Sequence, residues 1–358
     1  MPRRCPASPL NRKDVPLSVH AAATGTRGRP VALFVLGMPR SGTSALTRVL
    51  SLCGATLPAE LEVADSYNPR GYWEPRETHH LNGHMLRRHY STDADPSLRL
   101  QEDGAIGVEE KTAFIDKIKA FLTTLPYAPL VVIKDLYITA LSEMWFAAAR
   151  QAGFDIAVVV ALRRPQEVIA SVAASRRLSP ELPHALPSAM WLKYNLLAER
   201  NTRGVPRVFV EYANLLDDWR REIKRISAAL GIDLAHRDER AIDEFLTRDL
   251  HRNRDYGPVP EPFGTDWVST VYQAARAAAR DEPWQESALN RVYDAYRASE
   301  HAFRTAFRDF SEDFRDQMPP PHAVLLRLLP RRNVIIELRR HRGVRGLSIE
   351  VRRRRDAR

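Results

Sequence analysis

Residues 31–50, VALFVLGMPRSGTSALTRVL, narrow the possible folds more than any other stretch of this chain. The run 31–36 is apolar throughout, as a strand covered on both faces of a parallel sheet must be. A glycine-bounded loop follows and leads into a helix, read over 42–53, whose first residues are small and hydroxylic. Gly37, Gly42 and Ser44 keep the register of the phosphate-binding pattern G-x-x-x-x-G-K-[ST], but Thr43 stands where the lysine belongs and the loop's cation is Arg40. Main-chain N–H groups at a helix start still attract an anion. The lysine that would grip the terminal phosphates of ATP or GTP is missing, which points away from a kinase.

Further apolar runs repeat the strand-then-helix order. The run 130–133 ends at Lys134 and Asp135 and precedes a helical pattern over 139–152; the run 156–162 ends at Arg163, and Pro165 opens a helix there. A helix over 187–200, a fourth strand over 207–210 ending near Tyr212, and a helix over 214–230 closed by Gly231 complete the series. Alternation of this kind predicts an α/β fold, a P-loop-like three-layer α/β/α arrangement around a central parallel sheet. Ligands in such sheets bind beyond the carboxyl ends of the strands. Arg40, Lys134, Asp135, Arg163 and Tyr212 all fall at such ends, so they are expected in one cleft.

A helical insertion over 54–129, with helices near 77–89 and 107–125, follows the first βα unit and is expected to cover that cleft. The chain divides on this reading into a basic segment 1–30, a domain 31–320 whose last long helix covers about 284–307, and an Arg-rich tail 321–358 set off by prolines at 319–321.

The net charge of +10 belongs to the ends. Residues 331–358 hold eleven arginines against Glu337, Glu350 and Asp356, while 1–30 hold six basic residues against Asp14, so the middle of the chain is slightly acidic. The basic tail reads as a solvated charged segment, with contact to an anionic membrane surface as its alternative use and no nucleic acid expected. No run approaches eighteen apolar residues, the first thirty lack the apolar core of a secretory leader, and Cys5 and Cys53 make no disulfide framework. A cytoplasmic protein is the expectation; oligomeric state has no signal.

Three elements together give a resemblance. Pro39, Arg40, Ser41, Gly42, Thr43 and Ser44 follow the first strand; Arg163, Pro165 and Ser171 follow the third; and YANLL from Tyr212 follows the fourth. In these the chain resembles a bacterial branch of the sulfotransferase family that uses 3′-phosphoadenosine 5′-phosphosulfate (PAPS). The resemblance implies sulfuryl transfer to a hydroxyl or amine of a carbohydrate, lipid or small-molecule acceptor, with no metal required. PAPS carries a 5′-phosphosulfate and a separate 3′-phosphate, so two anion sites are needed. The N–H groups of Arg40 to Ser44 and the hydroxyls of Ser41, Thr43 and Ser44 suit the first, where Arg40 is the catalytic cation for the bridging and leaving oxygens, and Arg163, a fork donor, with Ser171 suits the second. Tyr212 stands as an adenine contact or a core residue.

For the remaining chemistry, Glu74 in NPRGYWE is the candidate general base, against its reading as a surface carboxylate beside Arg70 and Arg76. Lys134 is the candidate cation for the transferring group. The stretch VVIKD also fits a Mg²⁺-positioning strand of an ATP-dependent kinase, the enzymatic rival, and the related family's K-D-P-R continuation is replaced here by Leu136 and Tyr137. A basic membrane- or nucleic-acid-binding protein is the rival from another class. His79, His80, His84 and His89 crowd one helix; His80 and His84 have ligand spacing, but a metal site is not expected, and His79 or His80 is the reserve base. Trp73, Trp145 and Trp191 read as core or cleft wall. The acceptor is expected to be read by 54–129, 175–187 and 255–267.

Overall fold

The computed structural model describes residues 28–65, 68–176, 185–235, 237–247, 257–261, 263–317, 334–340 and 347–353. Cys5, the prolines at 319–321 and parts of the two later acceptor-reading segments lie outside them. The elements run β1 (Val31–Gly37), α1 (Thr43–Leu52), α2 (Arg76–Arg88), α3 (Val108–Thr123), β2 (Leu130–Ile133), α4 (Ile138–Gln151), β3 (Asp155–Leu162), α5 (Pro165–Arg176), α6 (Ala185–Arg200), β4 (Arg207–Glu211), α7 (Tyr212–Asp217), α8 (Trp219–Leu230), α9 (Glu239–Phe245), α10 (Trp267–Ala278), α11 (Glu286–Gln317), β5 (Val334–Arg340) and β6 (Leu347–Arg353).

β1 to β4 form one parallel sheet in the order β2-β1-β3-β4, with Leu33 opposite Val132 and Ala157, and Val160 opposite Phe209. Successive side chains of β1 go to opposite faces. Leu33 and Val35 join Leu46, Val49 and Leu50 of α1 and Ile223 and Ile226 of α8 in one core layer. Phe34 goes the other way, its ring 6.1 Å from Trp145 and 5.3 Å from Phe146, both on α4. Helices therefore cover both faces, which is why the strands are apolar without alternation. The chain leaves β1 toward β2 on one side and returns to β3 on the other. That reversal of direction opens a crevice at the carboxyl ends of β1 and β3.

The helix expected over 214–230 is two helices. Asp218 breaks it: its backbone is extended (φ −150°), and its carboxylate accepts from the Arg221 N–H at 3.0 Å, capping α8 instead of continuing α7. In the insertion, the two expected helices form as α2 and α3.

The packing divides the chain into two compact units, residues 1–96 with 106–286 and residues 97–105 with 287–358, so the division falls inside the segment 31–320. The sheet belongs to the first unit. In the second, the Leu98 N–H donates to Glu300 of α11 at 2.7 Å and Arg304 pairs with Glu102. There β5 and β6 pair antiparallel, giving the Arg-rich tail a strand pair the sequence did not suggest. No helix among the described residues is long and apolar enough to cross a membrane.

Candidate active site

The loop between β1 and α1 is built by close contacts that only glycine permits. Gly37 has φ 134°, and a Cβ there would stand 2.5 Å from the Ala161 carbonyl oxygen of β3. Its N–H is held by Thr139 Oγ1 of α4 at 3.0 Å. Gly42 has φ 87°, and a Cβ would lie 2.7 Å from Cε2 of Tyr212 and nearer still to Cδ2. Tyr212 thus packs its ring on the loop from the end of β4. The Ser41 N–H closes the turn on the Met38 carbonyl at 3.1 Å, and Arg40 between them is left-handed at φ 73°. An L-residue adopts that conformation at a cost, and such costs cluster at functional sites.

Arg163 and Ser171 meet the loop at Arg40. Arg163 Nη1 donates to the Arg40 carbonyl at 3.2 Å, Arg40 Nε donates to Ser171 Oγ at 3.1 Å, and the Arg163 guanidinium lies 5.0 Å from the Tyr212 ring centre. Eight residues of straight helix would separate Arg163 from Ser171 by about 12 Å. Because Arg163 precedes Pro165, both side chains can return to one point. Glu167 accepts from Arg163 Nε at 2.7 Å and fixes the guanidinium.

On the other side of the loop lies a buried charge cluster. Lys134 Nζ pairs with Glu74 Oε1 and donates to Ser44 Oγ at 3.2 Å and to the Tyr72 carbonyl at 3.3 Å. Glu74 is 1% exposed, so the reading of it as a surface carboxylate beside Arg70 and Arg76 is corrected. Arg70 instead reaches the Phe245 carbonyl and Thr247 Oγ1 (2.7 Å). Burial alone would raise the Glu74 carboxyl, but the Lys134 charge, with His79 behind it, holds it below the usual carboxylate range. His79 stands between two carboxylates, its Nδ1 3.4 Å from Asp135 Oδ2 and 3.5 Å from Glu74 Oε2. Asp135 first and Glu74 second outweigh burial and push the imidazole up to about 10. The two carboxylates favour the protonated imidazole, which disfavours His79 as the reserve base. Burial first, then Asp65 for Tyr72 and Asp93 for Tyr137, push both phenols up to about 12, so neither is ionised.

These residues line one cleft, with Arg40, Gly42, Thr43, Ser44, Glu74, Lys134, Asp135, Arg163, Ser171 and Tyr212 all on its wall. Ser41 is the exception among the expected loop residues. It is 1% exposed, does not line the cleft, and its hydroxyl has no hydrogen-bond partner among the described residues. His80 and His84 lie on the exposed face of α2, apart from the cluster. Trp145 and Trp191 are fully buried, while Trp73 is half-buried under the Arg48 guanidinium.

A family model described as the sulfotransferase family matches residues 30–236, which include every residue of this cleft wall except Phe245. The chain belongs to the sulfotransferase family. Among solved structures, this sulfotransferase is similar to the sulfotransferase domain of the Synechococcus PCC 7002 olefin synthase, at 20% identity over 75% of this chain and 95% of that one (TM-score 0.38). It is also similar to the sulfotransferase domain of the curacin biosynthetic pathway (15%, 72% and 100%, TM-score 0.37) and to mouse sulfotransferase SULT7A1 complexed with PAP (15%, 81% and 89%, TM-score 0.32). No curated protein matches the chain.

Asn82 supports this sulfotransferase site and was not singled out in the sequence. Its Nδ2 donates to Asp135 Oδ1 at 2.9 Å, and its Oδ1 accepts from Trp145 Nε1 at 2.9 Å. The Tyr137 N–H also donates to Asp135 Oδ1, at 2.9 Å. An asparagine inside a helix, on the face that carries Met85 and Leu86 into the core, was the available signal: a buried amide needs partners.

Proposed function

We propose that the chain transfers a sulfuryl group from PAPS to a hydroxyl or amine of a carbohydrate, lipid or small-molecule acceptor. The observation that carries this reading is the meeting of two anion-binding elements at Arg40: the β1–α1 loop, and Arg163 with Ser171 from the end of β3. A donor with two separate anionic groups calls for two such elements, whereas a nucleoside triphosphate calls for one cradle with a lysine after its second glycine. The residues present fit such a donor, since the loop offers helix-start N–H groups and the hydroxyls of Thr43 and Ser44, and Arg163 offers a fork for a phosphate.

In this reading the chain's own groups divide the work. Loop N–H groups and Arg40 hold the phosphosulfate, Arg163 and Ser171 the 3′-phosphate, and Tyr212 walls the nucleoside side. The acceptor oxygen or nitrogen attacks sulfur in line, its proton passes to Glu74, and the sulfur–oxygen bond to the phosphate breaks, leaving adenosine 3′,5′-bisphosphate. Alignment and charge stabilisation supply most of the acceleration. Lys134 links the two halves: when it turns toward the sulfuryl oxygens it loosens its hold on Glu74, which then takes a proton more readily.

Calorimetry tests the donor. Binding of adenosine 3′,5′-bisphosphate without Mg²⁺ is expected, and binding of ATP only with Mg²⁺ would replace this reading with the kinase one. An acceptor screen with ³⁵S-labelled PAPS then identifies the second substrate.

A further inference from the structure

The space between Glu74, His79 and Asp135 has the form of a ligand set. Their nearest ligand atoms, one from each residue, lie within 4.8 Å of one another. The two separations involving His79 Nδ1, 3.4 and 3.5 Å, are long for hydrogen bonds, and charge-assisted ones run shorter still. His79 Nδ1 and Asp135 Oδ2 are both buried without a hydrogen-bond partner among the described residues. One N–H cannot make a short, linear hydrogen bond to both carboxylates at once. The same separations match the edge of a tetrahedron, about 3.4 Å, around a zinc ion with nitrogen and oxygen ligands.

The surroundings prepare these atoms for a metal. Asp135 Oδ1 is saturated by Asn82 and the Tyr137 N–H, which fixes the carboxylate and leaves Oδ2 facing the gap. Glu74 Oε1 is engaged by Lys134, which leaves Oε2 facing the same gap. Outer partners of this kind orient the ligands of metal centres. The His79 ring packs 5.1 Å from Tyr137, its side chain is 31% exposed, and Glu74 and Asp135 line the cleft, so an ion has a path in. Asp135 supplies what a cluster of charges alone lacks: a wholly buried carboxylate oxygen aimed into the site with nothing outside the cluster to bind it.

We infer that Glu74 Oε2, His79 Nδ1 and Asp135 Oδ2 bind one first-row divalent cation of the zinc class, leaving a fourth position toward the cleft. The ion takes the place of the proton on Nδ1 and ties up the oxygen of Glu74 nearest to it. On the reading of Glu74 as the general base, a bound ion therefore inhibits sulfuryl transfer, and a chelator restores it.

The test is calorimetry of ZnCl₂ into the full chain stripped by EDTA, which needs neither donor nor acceptor. One zinc per chain is expected, with affinity lower by at least tenfold in His79→Ala, at a partly exposed position, and in the near-isosteric Asp135→Asn. The double variant H80A/H84A, which removes the exposed pair with ligand spacing, is expected to bind as the parent does. Absence of saturable binding, binding that survives His79→Ala, or binding abolished by H80A/H84A would overturn the inference. If zinc binds as expected and turnover is unchanged, the site stands and the assignment of Glu74 as base fails.

Discussion

Replacement of Lys134 by methionine tests the electrostatic core of the site. The Lys134 and Glu74 side chains are 5% and 2% exposed, so removal of the ammonium leaves a largely desolvated carboxylate without its main cation. Breaking a buried pair in this way costs about 3–5 kcal/mol. His79, 3.5 Å from the other Glu74 oxygen, provides a second positive charge and brings the expectation to the lower end, about 3 kcal/mol. The Tyr72 carbonyl also loses its Lys134 donor. Glu74→Gln is milder, about 1–2 kcal/mol, because Lys134 keeps Ser44 Oγ, the Tyr72 carbonyl and an amide oxygen. K134M/E74Q removes both charges, so it should be more stable than the two single losses together imply, by roughly 2 kcal/mol of coupling. Urea unfolding of the four proteins at neutral pH, followed by circular dichroism and tryptophan fluorescence, closes the cycle. Single losses that add to within about 0.5 kcal/mol would refute the claim that these two residues share a buried charge interaction.

Gly42→Ala should lower stability by about 3 kcal/mol or more, since the added methyl meets the Tyr212 ring and the φ of 87° is unfavourable for any L-residue; a denaturation midpoint equal to the parent's would show that the ring yields freely. Arg163→Lys keeps the charge beside Glu167 but loses the fork and the stacking on Tyr212, so calorimetry should show adenosine 3′,5′-bisphosphate affinity reduced about tenfold with little change in melting temperature. Burial first, opposed by Arg237, pushes the Cys53 thiol up to about 11, so it stays protonated below that pH. In a Cys5→Ser background, Ellman's reagent at pH 8 should release no colour until the protein is unfolded.

The strand ends were legible because an apolar run that stops at a charge marks both the strand and its exit toward the crevice. β2 and β3 showed this at Lys134 and Arg163. The break at Asp218 was less visible, because neither glycine nor proline interrupts the apolar spacing of 214–230; only the capping potential of an aspartate betrayed it. Glu74 was legible as a candidate base, but its burial was not, because Arg70 and Arg76 flank it in sequence while its partner Lys134 stands sixty residues away. For the same reason His79 could not be told from His80: adjacent helical residues point about 100° apart, and which one faces Asp135 is settled by packing. Asn82 went unnoticed because its value lies wholly in two tertiary hydrogen bonds.

Arg40 holds a left-handed backbone that glycine would adopt without strain. On backbone grounds alone, Arg40→Gly would gain about 1 kcal/mol, set against the loss of the bond to Ser171. The backbone itself therefore gives this codon no reason to stay arginine, whereas turnover does. In a laboratory population screened for thermal resistance alone, position 40 should therefore drift, with glycine among the residues it admits, as sulfuryl transfer declines. A screen that also demands turnover should keep the arginine and find its stabilising changes elsewhere in the chain.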